Sequence, residues 1–192
     1  MHRRKGDCMK NDIRELIKKY SEVYKEFEKF QFKEDNGKPL LAGGDQKTGV
    51  IGEYYAKCYI EKYVENVISV EYAPHGSSFD ILVNLKNNTS IKVQVKCVSA
   101  HSKTRQIAPL NLKDKNGDNS FDQLYLIDLN VDFLPIGFYI NSYKQVIERL
   151  CGDERDKIPS SIMKEIGKTK KEGSKIYDFT SNKVDELLNA LE

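Results

Sequence analysis

Apolar residues recur at spacings of three and four near the start of the chain, which predicts an amphipathic helix over 11–30 with Asn11 placed as its N-cap. We expect the side of this helix that faces the core to carry Ile13, Leu16, Ile17, Tyr20, Val23, Tyr24, Phe27 and Phe30. A second helix, over about 50–65, is apolar on most sides, which predicts that it is buried against a sheet. Its polar stripe is formed by Glu53, Lys57 and Glu61.

The middle of the chain has the pattern of strands. Residues 67–72 alternate weakly, and two runs rich in β-branched residues, within 78–98, flank a polar turn at Asn87 and Asn88 and predict a β-hairpin. Two further core strands are predicted at 123–129 and 136–140.

Helical patterns return after the strands. Ser142 and Gln145 have capping-box spacing, the pattern allows a short helix after Ser160 or Ser161, and a last helix is predicted from about Ser181. It is expected to bury Val184, Leu187, Leu188 and Leu191. Strands grouped between helices predict an α/β (α+β) fold with a mixed central β-sheet flanked by helices. We expect a single domain over 1–192, with a core at about 49–150, to which the helix 11–30 and a helical region 153–192 are additions.

The predicted hairpin carries a group of polar residues with chemical potential. Asp80 lies near the start of its first strand, and Gln94 and Lys96 lie two apart on the second, so those two share a face. Mg²⁺ prefers hard oxygen ligands, which Asp80, Gln94 and the backbone carbonyl of Val95 offer. Lys96 could serve an attacking water, which gives the equipment of metal-assisted phosphodiester hydrolysis. The same residues would equally suit the wet face of an ordinary strand.

The register of the hairpin decides between these interpretations. A two-residue loop at Asn87 and Asn88 would place Asp80 opposite Val95, on the wrong face. A site therefore requires a three-residue loop, which pairs Asp80 with Gln94 or Lys96, or a bend that frees Asp80 from the ladder. Glu53 also has two interpretations, an exposed partner of Lys57 or an acid pointing at the hairpin, and spacing does not separate them.

Composition limits the possible partners and locations. The net charge of +2 over 192 residues gives no overall footprint for nucleic acid, so any such partner must meet a local basic patch. The polar segment 99–119 is a plausible place for phosphate contacts, and we expect His101, Lys103, Arg105 and Lys113 to supply them. The four scattered cysteines predict free thiols rather than zinc ligands. With no long apolar run and no secretion signal, we expect a cytoplasmic protein without a membrane span.

The order Phe79-Asp80, then Gln94-Val95-Lys96, with Gly52-Glu53 on a preceding helix, resembles the PD-(D/E)xK nuclease superfamily of restriction endonucleases and Holliday-junction resolvases. The resemblance covers about 49–150 and implies a restriction-endonuclease-like core. It implies catalytic roles for Glu53, Asp80, Gln94 and Lys96, with metal ligation by Asp80, Gln94, Val95 and Glu53. Two departures stand out: Phe79 replaces the Pro of the motif, and Gln94 replaces an acid, which removes one negative charge.

The function implied is that of a DNA endonuclease using Mg²⁺, with Mn²⁺ as substitute, and acting on double-stranded DNA. A type II restriction endonuclease or the cleavage subunit of a heteromeric restriction enzyme fits best, since no separate recognition domain is evident and either a homodimer or a larger recognition subunit would read the sequence. The alternatives are a junction-resolving or repair nuclease and a catalytically degenerate nuclease-fold subunit that binds DNA or protein.

Overall fold

A five-stranded mixed sheet forms the centre of the computed structural model, which describes residues 5–31, 34–35, 38–39, 48–74, 76–101, 110–151, 161–162 and 181–192. The helices are α1 (Lys5–Gln31), α2 (Thr48–Tyr63), α3 (Tyr143–Cys151) and α4 (Val184–Leu191). The strands of the central sheet are β3 (Val67–Tyr72), β4 (Ile81–Leu85), β5 (Ser90–Ser99), β7 (Gln123–Leu129) and β8 (Pro135–Ser142). Short strands form two further pairs, β1 (Glu34–Asp35) with β2 (Lys38–Pro39), and β6 (Leu110–Asn111) with β9 (Ser161–Ile162).

The central sheet has the order β3-β4-β5-β7-β8. Strands β5 and β7 are parallel, and the other neighbours are antiparallel. The predicted mixed sheet flanked by helices is therefore confirmed. Pro135 begins the edge strand β8, a position where the missing N–H removes no bond from the interior of the ladder.

Two hydrophobic clusters lie on opposite faces of the sheet. The first core packs α2, α4 and one side of α1 on the face that carries Val93, Val95 and Tyr125. The second core lies on the face of Leu124 and Leu126 and includes α3 residues and Leu110, Leu112 and Phe121. Residues of β5 alternate between the faces, so Val93 and Val95 point to the first core while Gln94 and Lys96 take the second face.

The first core explains why α2 is apolar on most sides. Tyr55 donates a buried hydrogen bond of 2.9 Å from its hydroxyl to the carbonyl of Phe133. Tyr59 donates one of 2.9 Å to the carboxylate of Glu186 on α4. Helix α2 thus bonds to the loop before β8 and to α4, and its apolar residues pack on the sheet in the first core, which confirms the predicted burial.

The helix ends test several expectations. The capping box is confirmed, since the Ser142 N–H donates to Gln145 Oε1 at 2.8 Å and the Gln145 N–H donates to Ser142 Oγ at 3.2 Å. Helix α1 begins at Lys5, so the prediction that Asn11 caps it is wrong. Ser161 and Ile162 form β9, which pairs with β6, and the residues that follow, where the short helix was predicted, lie outside the described part of the chain.

The predicted apolar face of α1 is too wide. Leu16 and Val23 are 62% and 58% exposed, and the contact with the first core is made by Ile17, Tyr20 and Tyr24. The side chains of Phe27 and Phe30 lie outside the described residues. On α4, Leu187 and Leu191 are buried as expected, but Leu188 is 39% exposed because it faces away from the sheet. Within the described ranges, no helix is long and apolar enough to cross a membrane.

Candidate functional site

The hairpin of β4 and β5 has the register that a site requires. Ile81 pairs with Val93 and Asn84 with Ser90, and this register, continued by one residue, puts position 80 opposite Gln94. The turn is closed by hydrogen bonds from the Leu85 N–H to the Thr89 carbonyl, 2.9 Å, and from the Asn88 N–H to the Leu85 carbonyl, 3.1 Å. Asn88 adopts a left-handed conformation with φ of 60°. This is a three-residue loop ending in a left-handed residue, a common hairpin geometry.

Asp80 lies at a bend immediately before β4. Its backbone N–H still donates to the Val93 carbonyl at 2.9 Å. Its carboxylate oxygen Oδ2 accepts the Val95 N–H at 2.7 Å and a hydrogen bond from Gln94 Nε2. The Val95 N–H therefore bonds to the side chain of Asp80 and not to a backbone carbonyl of the neighbouring strand. Asp80, Gln94 and Lys96 meet on one side of the sheet. Of the two alternatives set out for the hairpin, the three-residue loop is the one present, and Asp80 lies at a bend while its N–H keeps its bond to Val93.

Glu53 is brought to the same place by a close helix–strand contact. Strand β4 ends its pairing at Val93, and the first turns of α2 lie against the next part of β5. Gly52 makes this approach possible, because a Cβ at that position would lie 2.6 Å from Cys97 Cβ. Lys57 and Glu61, farther along the polar stripe, form the ordinary ion pair at 3.9 Å. Within that stripe, Glu53 is the residue whose carboxyl group is acted on by the charges of Asp80 and Lys96.

Burial and neighbouring charges perturb the three ionisable groups of the site. The pKa of Glu53 is raised to about 7, mainly by burial and also by the negative charge of Asp80, against the positive charge of Lys96, which lowers it. Burial also raises the pKa of Asp80, against the Val95 N–H and Lys96, which lower it. Burial lowers the pKa of the Lys96 ammonium, against the attraction of Asp80 and Glu53. Groups whose pKa values move toward neutrality in one cluster are typical of catalytic sites.

The donor set suits a hard divalent cation. Both hydrogen bonds to the Asp80 carboxylate end on Oδ2, and within the described residues no donor contacts Oδ1. Glu53 supplies a second carboxylate, and Gln94 and Val95 offer carbonyl oxygens. Among those same residues, no group of three or more His, Cys, Asp or Glu side chains is arranged to hold a metal. Mg²⁺ needs only one or two carboxylates, with water and phosphate completing its shell, so the residues present fit it.

The Gln94 side chain is the one donor that is turned away from this role. Its amide nitrogen donates to Asp80 and, at 3.2 Å, to the Val95 carbonyl. Rotation of the amide by half a turn would place its oxygen toward a cation and would release the Val95 carbonyl. Gln94 is 6% exposed, so this change would take place inside the packed site.

The residues predicted to contact nucleic acid are spread over the molecule. His101 packs its ring against Tyr24 and Phe133, with ring centroids 4.5 and 5.1 Å away, and its Nε2 lies 3.0 Å from the Val131 carbonyl. That is the side of the first core, where the ring already has protein contacts. Lys113 lies on the side of the second core, the face shared by Gln94 and Lys96. Lys103 and Arg105 lie outside the described residues.

Two residues that were not predicted as members of the site lie beside it. Lys92 shares its face with Gln94 and Lys96, and its ammonium lies 5.9 Å from the centroid of the Phe79 ring. Phe79, which directly precedes Asp80, packs against the second core. The alternation of side chains along β5 already placed Lys92 on the face of Gln94 and Lys96. Its contact with Phe79 could not be foreseen, because it depends on the register of the hairpin and on the bend at Asp80.

No protein-family model matches the chain, and no curated protein matches it. Among solved structures it is similar to a bacterial homing endonuclease, I-Ssp6803I, with 18% sequence identity and a TM-score of 0.42. The likeness covers 76% of this chain and 93% of that one. A similarity this low does not decide fold or function. Membership of the PD-(D/E)xK superfamily therefore stays a prediction from the sequence motif.

Proposed function

We propose that this protein is a Mg²⁺-dependent endonuclease that hydrolyses phosphodiester bonds of double-stranded DNA. The observation that supports it best is the cluster of Glu53, Asp80 and Lys96, three partly buried ionisable groups that perturb one another, beside the strand β5 that carries Gln94 and Lys96. Polar strand residues on a merely solvated face would not need this burial.

In this proposal Asp80 and Glu53 hold the cation through carboxylate oxygens, and Gln94 and Val95 add carbonyl oxygens. When bound, Mg²⁺ would stabilise the charge that develops on the phosphate and favour the ionised form of a water. Lys96 lies on the same side as Asp80 and forms no direct ion pair with a carboxylate among the described residues. Its ammonium is therefore available to orient the attacking water and the phosphate. Water attacks phosphorus and gives up a proton to the solvent, the P–O bond opposite it breaks, and the leaving oxygen takes a proton from the solvent, so that the diester becomes a phosphate monoester and a hydroxyl.

Within this class we propose a restriction-type enzyme, acting in the cytoplasm either as a homodimer or as the cleavage subunit beside a larger DNA-recognition subunit. The sequence has no zinc-finger or extended helix-turn-helix pattern that would read bases. Mn²⁺ should substitute for Mg²⁺, because it accepts the same oxygen ligands.

The test is nicking and linearisation of supercoiled plasmid with Mg²⁺, with Mn²⁺ and with EDTA. Asp80→Asn keeps an oxygen acceptor for the Val95 N–H, and Lys96→Met keeps most of the side-chain volume. Each should lower the cleavage rate by about 100-fold or more. Asp185→Asn and Lys86→Met are matched controls at exposed positions and should cleave as the unaltered protein does.

A second function has one observation in its favour. Gln94 stands where the motif has an acid and donates its amide to Asp80, so the site has one carboxylate fewer than the motif and the Asp80 carboxylate is already hydrogen-bonded. A non-catalytic DNA- or protein-binding subunit would show no cleavage and no Mg²⁺ binding by calorimetry. That pair of results would overturn the nuclease proposal, as would equal cleavage by the unaltered protein and Asp80→Asn.

A further inference from the structure

Two lysines on the face of the second core are held over aromatic rings. Lys92 lies over Phe79, and Lys113 lies over Tyr143 with its ammonium 5.8 Å from the ring centroid. Lys113 also donates to Asn119 Oδ1 at 3.0 Å. A cation over a ring is attracted by the negative face of that ring, which limits the freedom of a long side chain. Both ammonium groups are thus positioned rather than loosely solvated.

The two lysine–ring pairs belong to one continuous surface. The Asp122 N–H donates to the Lys92 carbonyl at 2.8 Å, and the Tyr143 N–H donates to the Asp122 carbonyl at 2.8 Å. The rings of Phe121 and Tyr143 pack edge to face with centroids 5.3 Å apart. Residue 122 therefore links β5 to the start of α3 and holds the Lys92 pair next to the Lys113 pair. We call Phe79, Lys92, Lys113 and Tyr143 the lysine–aromatic track.

The track begins at the candidate site. Lys92 is two residues from Gln94 on the same face of β5, a separation of about 6.8 Å along a strand. Phe79 directly precedes Asp80. A polymer bound with one phosphate at Asp80 and Lys96 would place a neighbouring phosphate near Lys92, and the same backbone would continue toward Lys113.

Three acidic residues near the track are each held by a contact within the protein. The Asp122 carboxylate accepts the Lys92 N–H at 2.7 Å. Asp114 caps its own turn by accepting the N–H groups of Asn116 and Asp118 at 2.8 and 3.0 Å. Glu148 lies 4.0 Å from Lys144.

We propose that the lysine–aromatic track binds the phosphate backbone of one DNA strand next to the bond to be cleaved, without reading its sequence. This inference rests on the proposed nuclease function and names the path of the substrate. Phosphate contacts from lysine position a duplex and carry no base information, so recognition of a sequence would come from elsewhere.

The experiment measures binding of a short mixed-sequence DNA duplex by fluorescence anisotropy in EDTA, between about 50 and 200 mM salt. Each lost phosphate contact should reduce the slope of log affinity against log salt by about 0.9, so Lys92→Met and Lys113→Met should each show this change and the double variant about twice as much. Lys92→Arg keeps the positive charge and should have the same slope as the unaltered protein. Lys19→Met, at an exposed position on α1, is the matched control and should not change it.

The outcomes separate this inference from the proposed function. A reduced slope with equal loss of affinity on unrelated sequences supports phosphate binding by the track, and the plasmid assay tests cleavage separately. Normal binding and an unchanged slope in both lysine variants overturn the track and leave the nuclease proposal standing. Absence of DNA binding by the unaltered protein overturns both.

Discussion

Replacing Glu53 by Gln should stabilise the protein at neutral and higher pH, because the folded state holds this carboxyl in a place where ionisation is unfavourable. Its pKa is about 7 in the folded protein and 4.5 in its ordinary environment. Between these two values the folded state binds more protons than the unfolded state. The free energy of unfolding of the unaltered protein must therefore fall as pH rises from about 4.5 to about 7.

The magnitude follows from the same two values. Each unit of pKa is worth about 1.4 kcal/mol, which gives about 3 kcal/mol for a fully desolvated group. Glu53 is only partly buried, and screening by solvent reduces this to about 1–2 kcal/mol. Glu53→Gln removes the titration, so its advantage in stability should be close to zero below pH 4.5 and reach about 1–2 kcal/mol above pH 7.

The assay is urea unfolding followed by circular dichroism at several pH values, in EDTA so that no metal is bound. Glu65→Gln is the matched control, since Glu65 is exposed near the end of α2 and should give a curve parallel to the unaltered protein. If the difference between the unaltered protein and Glu53→Gln were constant from pH 5 to 8, Glu53 would not be desolvated beside Asp80, and its place in the site would be refuted.

Three further changes test the structure that supports the site, each by urea unfolding. Gly52→Ala should cost about 1–3 kcal/mol, because its Cβ would lie 2.6 Å from Cys97 Cβ, whereas Gly49→Ala, with open space around it, should cost nothing; equal costs would contradict the close contact. Asn88→Ala should cost about 1–2 kcal/mol because of its φ of 60°, and Asn88→Gly should not; a neutral alanine would argue against this turn. Ser142→Ala should cost about 1 kcal/mol through loss of the cap, and an unchanged stability would show that the hydrogen bond contributes little.

The elements of the core were predictable because burial imposes a regular pattern. The strand 67–72 was predicted with the bounds that β3 has, and 124–127 within β7 is an unbroken apolar run because that strand is covered on both faces. Short strand pairs such as β6 with β9 were not predictable, since two residues carry no period. The exposure of Leu16 was missed because spacing indicates a helical face but does not give the width of the surface that covers it.

The candidate site could be narrowed by sequence but not decided. Periodicity placed Gln94 and Lys96 on one face and left two registers for Asp80. The choice between them depends on the backbone of Asn88, a residue whose short polar side chain tolerates the left-handed conformation without requiring it. The position of Glu53 depends on a contact between Gly52 and Cys97, 45 residues apart in the chain, which no local pattern reports.

The exposed three-residue turn at 86–88 sets the register of β4 and β5, and through it the face on which Gln94 and Lys96 lie. Surface loops usually tolerate insertions and deletions, since their length costs little free energy. Here, loss of one turn residue would have to be absorbed by a shift of pairing, which would turn Val93 and Val95 toward the site and Gln94 and Lys96 toward the first core. The length of this loop should therefore be as restricted as the identity of the residues it aligns, and grafting of the site onto another hairpin would have to carry the turn with it.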